Sequence, residues 1–149
     1  MRDHTSLAAW QEARAVTLEC IAAGTDHWRP FAAAVFHQLQ RASLSVQLNI
    51  AEGYTFGHSA TYRRHLRIAY GSAVETGELL RLLVDAEILP SAALEQIEAR
   101  NHRCQGLILG LLRKPTTSTP PFTEEAIQAS PHQGPPTPRS PRPRSRHPR

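Results

Sequence analysis

Apolar residues recur at alternating spacings of three and four along most of residues 6–114, as they do on one face of an α-helix. The clearest stripe begins after Ser59, a residue suited to cap a helix N-terminus, and predicts a long helix over residues 59–87. Small residues in its middle predict close approach by a neighbouring helix. The stripe consists of Tyr62, Leu66, Ala69, Ala73, Thr76, Leu80 and Leu83.

A second long helix is predicted over residues 31–52. Pro30 stands at its first turn, where the missing N–H is harmless, and Gly53 is expected to cap its C-terminus. Gly53 and the following residues then form the turn into the next helix. The predicted inner face consists of Val35, Phe36, Leu39, Ala42, Val46 and Ile50.

Two further helices complete the pattern. The first starts at Thr5 or Ser6 and ends at Gly24, and the last has Ser91 as its N-cap and stops at Pro115. The expected inner face of the first helix is Leu7, Trp10, Ala13, Thr17 and Ile21, with Leu18 beside them. That of the last helix is Leu94, Ile97, Asn101, Cys104, Ile108 and Leu111.

Four amphipathic helices with short connections and no strand pattern predict an all-α fold, an antiparallel up-down four-helix bundle. We assign the bundle to residues 1–114. Residues 115–149 contain ten of the 12 prolines and are rich in Ser, Thr and Arg. Such a composition buries too little apolar surface to offset the entropy of ordering, so we expect a disordered, basic C-terminal tail.

Charge is unevenly placed along the chain. Residues 1–114 hold 12 Lys and Arg against 11 Asp and Glu, a net charge of +1, whereas the tail contributes +3 of the total of +4. The basicity of the whole chain therefore says little about what the bundle binds. The tail is expected to be a solvated arm or, alternatively, to make weak, salt-sensitive contacts with phosphates.

Cellular context is suggested by what the sequence lacks. No apolar run approaches the roughly 20 residues that cross a bilayer, and the N-terminal residues do not resemble a signal peptide. Cys20 and Cys104 lie in apolar helical patterns, where a free cysteine behaves as a small hydrophobic residue. We expect a cytoplasmic protein without membrane attachment.

Four arginines are candidate nucleic-acid contacts. Arg63, Arg64 and Arg67 are close together near the start of the helix that follows Ser59, and Arg41 on the preceding antiparallel helix is expected to join them. Guanidinium groups held in this way can contact phosphates. The alternatives are a solvated helix face or salt bridges at a subunit interface. No aromatic residues alternate with these arginines, so the sequence gives no sign of a site for stacking single-stranded bases.

The polar residues Asn49, Glu52 and Glu75 allow two interpretations. They could act as an acid–base pair or as metal ligands, but neither glutamate has the histidine three residues on that is typical of bundle metal sites. We therefore expect structural polar roles for all three, and no catalytic residues, metal or cofactor. Tyr54 and Phe56, in the predicted interhelical turn, either mark a contact surface or cover the bundle end.

Three segments carry a resemblance to a known family. They are LAAWQEA at residues 7–13, QLQRASLSVQLNIAEG at residues 38–53 and YRRHLRIAYGSAVET at residues 62–76. Together they resemble the bacterial four-helix bundle proteins first named for being encoded in intervening sequences of 23S rRNA genes. The resemblance covers about residues 6–113. It implies a small, non-enzymatic helical protein that forms a homopentamer.

The resemblance also suggests a function. A similar bundle is the accessory protein of diversity-generating retroelements, which partners a reverse transcriptase and binds nucleic acid. We therefore expect a nucleic-acid-associated adaptor acting on RNA, DNA or a nucleoprotein complex, and the partners implied are copies of the same chain and a reverse transcriptase. The alternative, favoured by the near-neutral bundle, is a structural or protein-binding scaffold without affinity for nucleic acid.

Overall fold

A computed structural model describes residues 3–115, which form four α-helices and no strand. Each helix packs against the next along the chain, and the first packs against the last, which closes an antiparallel up-down bundle. The predicted fold class is confirmed. The predicted tail lies outside the described residues except for Pro115. The helices are α1 (Ala8–His27), α2 (Ala33–Tyr54), α3 (Ala60–Asp85) and α4 (Ser91–Arg113).

The α3 helix matches its prediction closely. The Ser59 hydroxyl accepts a hydrogen bond from the backbone N–H of Tyr62 at 3.2 Å, so the predicted cap is confirmed. Every residue of the predicted stripe, from Tyr62 to Leu83, is buried. Large apolar residues define this stripe at both ends of the helix, which is why periodicity alone located it.

The α2 helix extends past its predicted end. Gly53 does not cap it, because the helix continues through Tyr54. A Cβ atom on Gly53 would lie 2.9 Å from Cβ of His65 and 3.2 Å from Cδ2 of Tyr62, so this glycine permits close approach of α3. The left-handed conformation that the turn needs is adopted instead by Gly57, with φ of 57°.

The predicted inner face of α1 is wrong in part. Leu18 and Ile21 are 54% and 44% exposed, and Trp10 is half-buried. The pattern had favoured the largest side chains, but α1 lies close to both α2 and α4, and small side chains fit that narrow space. The buried face consists of Ala9, Ala13, Val16, Thr17, Cys20, Ala23 and Gly24.

The α4 helix begins at Ser91 itself, so the predicted cap is displaced by one residue to Pro90. The predicted stripe is confirmed: Ile97, Asn101, Cys104 and Ile108 are buried, and its two outermost residues are half-buried. Among residues 3–115, no helix combines the length and the hydrophobicity needed to cross a membrane.

The core consists of two apolar clusters, one towards each end of the bundle. Buried polar residues from all four helices lie near the level where the clusters meet. Asn101 Nδ2 donates to the carbonyl oxygen of Ala73 at 2.8 Å, which satisfies this buried amide. Thr17 likewise donates to the carbonyl oxygen of Ser43 at 3.0 Å, so these two hydrogen bonds between helices fix how the helices align. The hydroxyls of Ser43 and Thr76 instead donate to carbonyl oxygens of their own helices. The buried polar residues are Thr17, Ser43, Ser72, Thr76 and Asn101.

Candidate nucleic-acid interface

The end of the bundle where α2 joins α3 also holds the start of α1 and the end of α4. Arg63 connects two of these elements, because its Nη1 donates to the carbonyl oxygens of Leu112 at 2.5 Å and Lys114 at 3.2 Å. The last carbonyls of a helix lack partners within the helix, so this guanidinium caps the C-terminus of α4. Arg63 is half-buried and is not part of the open surface.

Four other cations at this end are exposed: Arg64, Arg67, Arg113 and Lys114. We call them the basic end. None of them forms an ion pair within residues 3–115. Sequence analysis did not find Arg113 and Lys114. The predicted antiparallel order of the helices could have located them, because it places the last turn of α4 beside the first turns of α3.

Arg41 is not brought to this group. Ser45 lies opposite Ser72, with their hydroxyl oxygens 2.9 Å apart, and Gln38 donates to Glu75 at 2.6 Å. Arg41 is therefore level with the middle of α3, about 15 Å along the helix axis from Arg64. It is exposed on the outer face of α2, where it lines a shallow depression with its neighbours.

Several charges at mid-bundle are paired, in contrast to the basic end, although Arg41 is not among them. Arg100 lies 3.0 Å from Glu19 and 3.3 Å from Glu12, which links α4 to α1. Arg81 of α3 contacts Glu98 of α4. Such pairs satisfy charge locally and leave little field outside the molecule. Among the described residues, exposed cations without ion-pair partners are thus most numerous at the basic end.

Asn49 and Glu52 surround His65 of α3. Nδ1 of His65 donates to Oδ1 of Asn49 at 3.0 Å, which requires the proton on Nδ1, and Oε2 of Glu52 is 3.7 Å away. Asn49 in turn donates to the carbonyl oxygen of Ser45 at 2.9 Å. Glu75 is ten residues beyond His65, so the two glutamates do not share a site.

Aromatic rings gather at the same end, although they are scattered in the sequence. The rings of Phe56 and His65 stack with centroids 5.5 Å apart and an angle of 11°. His58 meets Tyr62 edge to face at 5.6 Å. His4 contacts Trp10 at 5.3 Å and lies 6.4 Å from Tyr54. Aromatic rings and exposed arginines therefore share one end of the described structure, which the sequence pattern does not indicate.

A cleft of about 690 Å³ opens between these rings and the end of α4. Leu7 and Leu111 form its apolar sides, and Tyr54 and Tyr62 contribute aromatic surface. The cation of Lys114 stands at its edge. The full lining is Ser6, Leu7, Tyr54, Thr55, Gly57, His58, Tyr62, Leu111 and Lys114.

The cysteines are buried free thiols, as expected. Burial raises the pKa of Cys20 and that of Cys104 from 9.0 to about 12, so both are protonated at neutral pH. The thiolate is the nucleophilic form of cysteine, so neither is poised for nucleophilic chemistry. Within residues 3–115, no three His, Cys, Asp or Glu side chains are arranged to hold a metal ion.

Comparisons with known proteins agree with this architecture. A crystal structure from Bacteroides thetaiotaomicron VPI-5482, of a protein with unknown function from the S23 ribosomal protein family, has a TM-score of 0.65. The likeness covers 72% of this chain and 100% of that one at 19% identity, so it concerns the fold. No curated protein matches. The profile of the 23S rRNA-intervening sequence proteins matches residues 5–110, and the chain therefore belongs to that family.

Proposed function

We propose that the protein is a non-enzymatic, oligomeric protein that associates with nucleic acid through its basic end. The observation that carries the proposal is the set of four exposed cations without ion-pair partners among the described residues: Arg64, Arg67, Arg113 and Lys114. Phosphates are recognised by such groups, and the binding depends on salt because counterions are released. At this end the chain also continues into a segment with five arginines.

The test reverses charge at the basic end of the full-length chain. We expect the variant R64E/R67E/R113E to bind a fluorescein-labelled stem-loop RNA at least about tenfold more weakly, with a shallower dependence on salt. Fluorescence anisotropy gives the affinity, and circular dichroism confirms that the helices persist. R41E is the control for a single charge reversal elsewhere and is compared with R64E alone, because Arg41 is exposed but distant. Equal binding by the triple variant and the wild type contradicts the proposal.

The tail needs its own comparison, since it holds five of the arginines. Replacing Arg139, Arg142, Arg144, Arg146 and Arg149 with serine removes this contribution and leaves the bundle unchanged. If the proposal is correct, the tail variant still binds RNA and R64E/R67E/R113E still weakens that binding. Loss of all binding in the tail variant assigns the affinity to the tail instead.

Self-association is the second part of the proposal, with a homopentamer as the expected state. Its support is an apolar strip on the outer surface, formed by Leu44, Leu48 and Ile68. The register of α2 and α3 puts Leu48 level with Ile68, and these side chains are 45% and 42% exposed. Adjacent exposed apolar side chains on a small bundle favour an interface.

Light scattering of the full-length chain tests this part. We expect L48E/I68E to lower the molar mass to that of a monomer, since charge at a buried interface carries a desolvation cost. L82E is the control, because Leu82 is exposed on the same helix near its other end. A wild-type monomer at micromolar concentration contradicts the proposal.

The same apolar strip supports the alternative function, a protein-binding scaffold without affinity for nucleic acid. An oligomer that binds no RNA at low salt would favour that alternative. The adaptor proposal extends to a reverse transcriptase as protein partner, on the family resemblance alone. Co-purification of the two proteins from cells, retained after nuclease treatment, tests for a direct contact.

A further inference from the structure

The cleft beside Lys114 is lined by apolar and aromatic side chains, which take no part in the proposed phosphate contacts. Its walls are formed by the half-buried side chains of Leu7, Leu111 and Tyr54, and the exposed ring of His58 stands at the turn. Tyr62 also lines the cleft but is only 4% exposed. Ser6 and Thr55 of the same lining are exposed and supply hydroxyl groups. Apolar and aromatic surface beside hydrogen-bonding groups is complementary to a nucleobase, which has an aromatic face and a polar edge.

The position of the cleft at the basic end indicates which class of ligand it binds. The cleft lies at the only end of the described bundle where several exposed cations lack ion-pair partners, so a polyanion is the favoured ligand. A base in a duplex has both faces covered by its neighbours and cannot present one to an aromatic wall. An unpaired base can, and stacking on aromatic side chains is the usual way in which proteins hold single strands.

We propose that this cleft receives one unpaired base of a single-stranded nucleic acid, while Lys114 and the nearby arginines contact the flanking phosphates. The inference rests on the proposed function, because it assumes that nucleic acid reaches the basic end. It adds a ligand class, single strand rather than duplex, and a set of residues that recognise bases rather than phosphates: Tyr54, His58 and Leu111.

The probes distinguish the contribution of the bases to binding from that of the phosphates. A fluorescein-labelled dodecamer of deoxyuridine is compared with an abasic dodecamer of the same charge and with a duplex. We expect the full-length wild type to bind the deoxyuridine strand about tenfold or more tighter than the abasic strand, as one stacked base contributes. The uridine dodecamer then identifies the source, since tighter binding than deoxyuridine assigns RNA and weaker binding assigns DNA.

Two variants locate the effect in the cleft. His58→Ala removes an exposed ring, and Leu111→Trp fills the cleft. Each is expected to abolish the preference for the base-bearing strand and to leave the affinity for the abasic strand unchanged. Phe31→Ala is the control, because Phe31 is an exposed aromatic residue at the opposite end. H58A needs no repacking of the core, so the test does not depend on whether L111W folds.

The outcomes distinguish this inference from the function on which it rests. Equal, salt-dependent affinity of the wild type for the deoxyuridine strand, the abasic strand and the duplex overturns the cleft proposal and leaves the phosphate interface standing. A preference for bases that persists in both cleft variants also overturns it. No binding of any probe at low salt removes both.

Discussion

The two ends of the bundle are built from the same four helices and carry opposite surfaces. The basic end presents exposed cations around an aromatic cleft. The other end, where α1 joins α2 and α3 joins α4, exposes Asp26, Asp85 and Glu87 beside a single cation, Arg29. Each end contains two helix N-termini and two C-termini, so the helix dipoles largely cancel. The difference in charge between the two ends therefore comes from the side chains alone. The net charge of +1 over residues 1–114 does not reveal this difference.

The interior repeats the division into two halves. Cys104 belongs to the apolar cluster near the basic end, and Cys20 belongs to the other cluster. Each cysteine is thus a reporter of one half. The polar layer between the clusters, which includes Thr17 and Asn101, ties the halves into one alignment. The halves therefore differ at their surfaces and share one cooperative core.

The largest predicted effect tests that shared core by raising the pH. Burial raises the pKa of each thiol from 9.0 to about 12, so above pH 9 the unfolded chain loses these protons while the folded chain keeps them. Stability is therefore fully present below pH 9 and is lost as the pH rises from 9 towards 12. At pH 10 we expect the free energy of unfolding to be lower by roughly 1–2 kcal/mol per thiol, or roughly 3 kcal/mol in all.

Urea unfolding at pH 8 and pH 10, followed by circular dichroism, measures this loss. Cys20→Ala and Cys104→Ala are each expected to remove about half of the thiol contribution to the pH dependence, although each also changes stability at pH 8. The double variant corrects for the other groups that titrate in this range. Identical pH dependence in the wild type and the double variant would falsify the prediction.

A second prediction compares two glycines that differ in packing. Gly53→Ala places a Cβ against His65 at the close helix contact, and we expect it to cost about 1–3 kcal/mol. Gly71→Ala adds a methyl group where no atom lies within 4 Å and removes a flexible residue from a helix. It should stabilise the protein by up to about 1 kcal/mol. Thermal unfolding of both variants provides the measurement, and the same sign for both contradicts the assignment of Gly53.

The smallest predicted effect separates two neighbouring arginines. Arg63→Ala leaves the last carbonyls of α4 without their donor, so we expect a loss of about 1–2 kcal/mol and faster hydrogen exchange in the last turn of α4. Arg64→Ala should change stability by less than about 0.5 kcal/mol, because the side chain is exposed. Binding should respond in the opposite order, with Arg64→Ala weakening RNA binding more. Equal effects on stability would show that Arg63 does not cap α4.

Prediction from sequence succeeded where large apolar residues repeat and failed where small ones do. The stripe of α3 contains Tyr62 and Leu66, and its burial follows from periodicity. The inner face of α1 could not be chosen in the same way, because alanine and cysteine give little contrast and Leu18 with Ile21 suggested the wrong side. The small residues of α1 face the core because α1 lies close to both α2 and α4, and only the tertiary structure shows this.

The candidate site divides in a similar manner. Arg64 and Arg67 are adjacent on one helix, so local geometry suffices to group them. Arg113 and Lys114 reach them from about 50 residues away, and Arg63 leaves the group to cap α4. The register between α2 and α3 places Arg41 level with the middle of α3, at a distance from Arg64 and Arg67. None of these outcomes depends on helical periodicity, which describes each helix alone.

The sequence by itself determined that four amphipathic helices form an up-down bundle, because apolar spacing and short connections act locally along the chain. The tertiary structure alone decided which cations remain unpaired and which rings meet. Tyr54, His58 and Tyr62 line one cleft with Lys114 only because α4 ends beside the turn between α2 and α3. Contacts between distant segments depend on register and helix order, and those are set by the packing of the whole core.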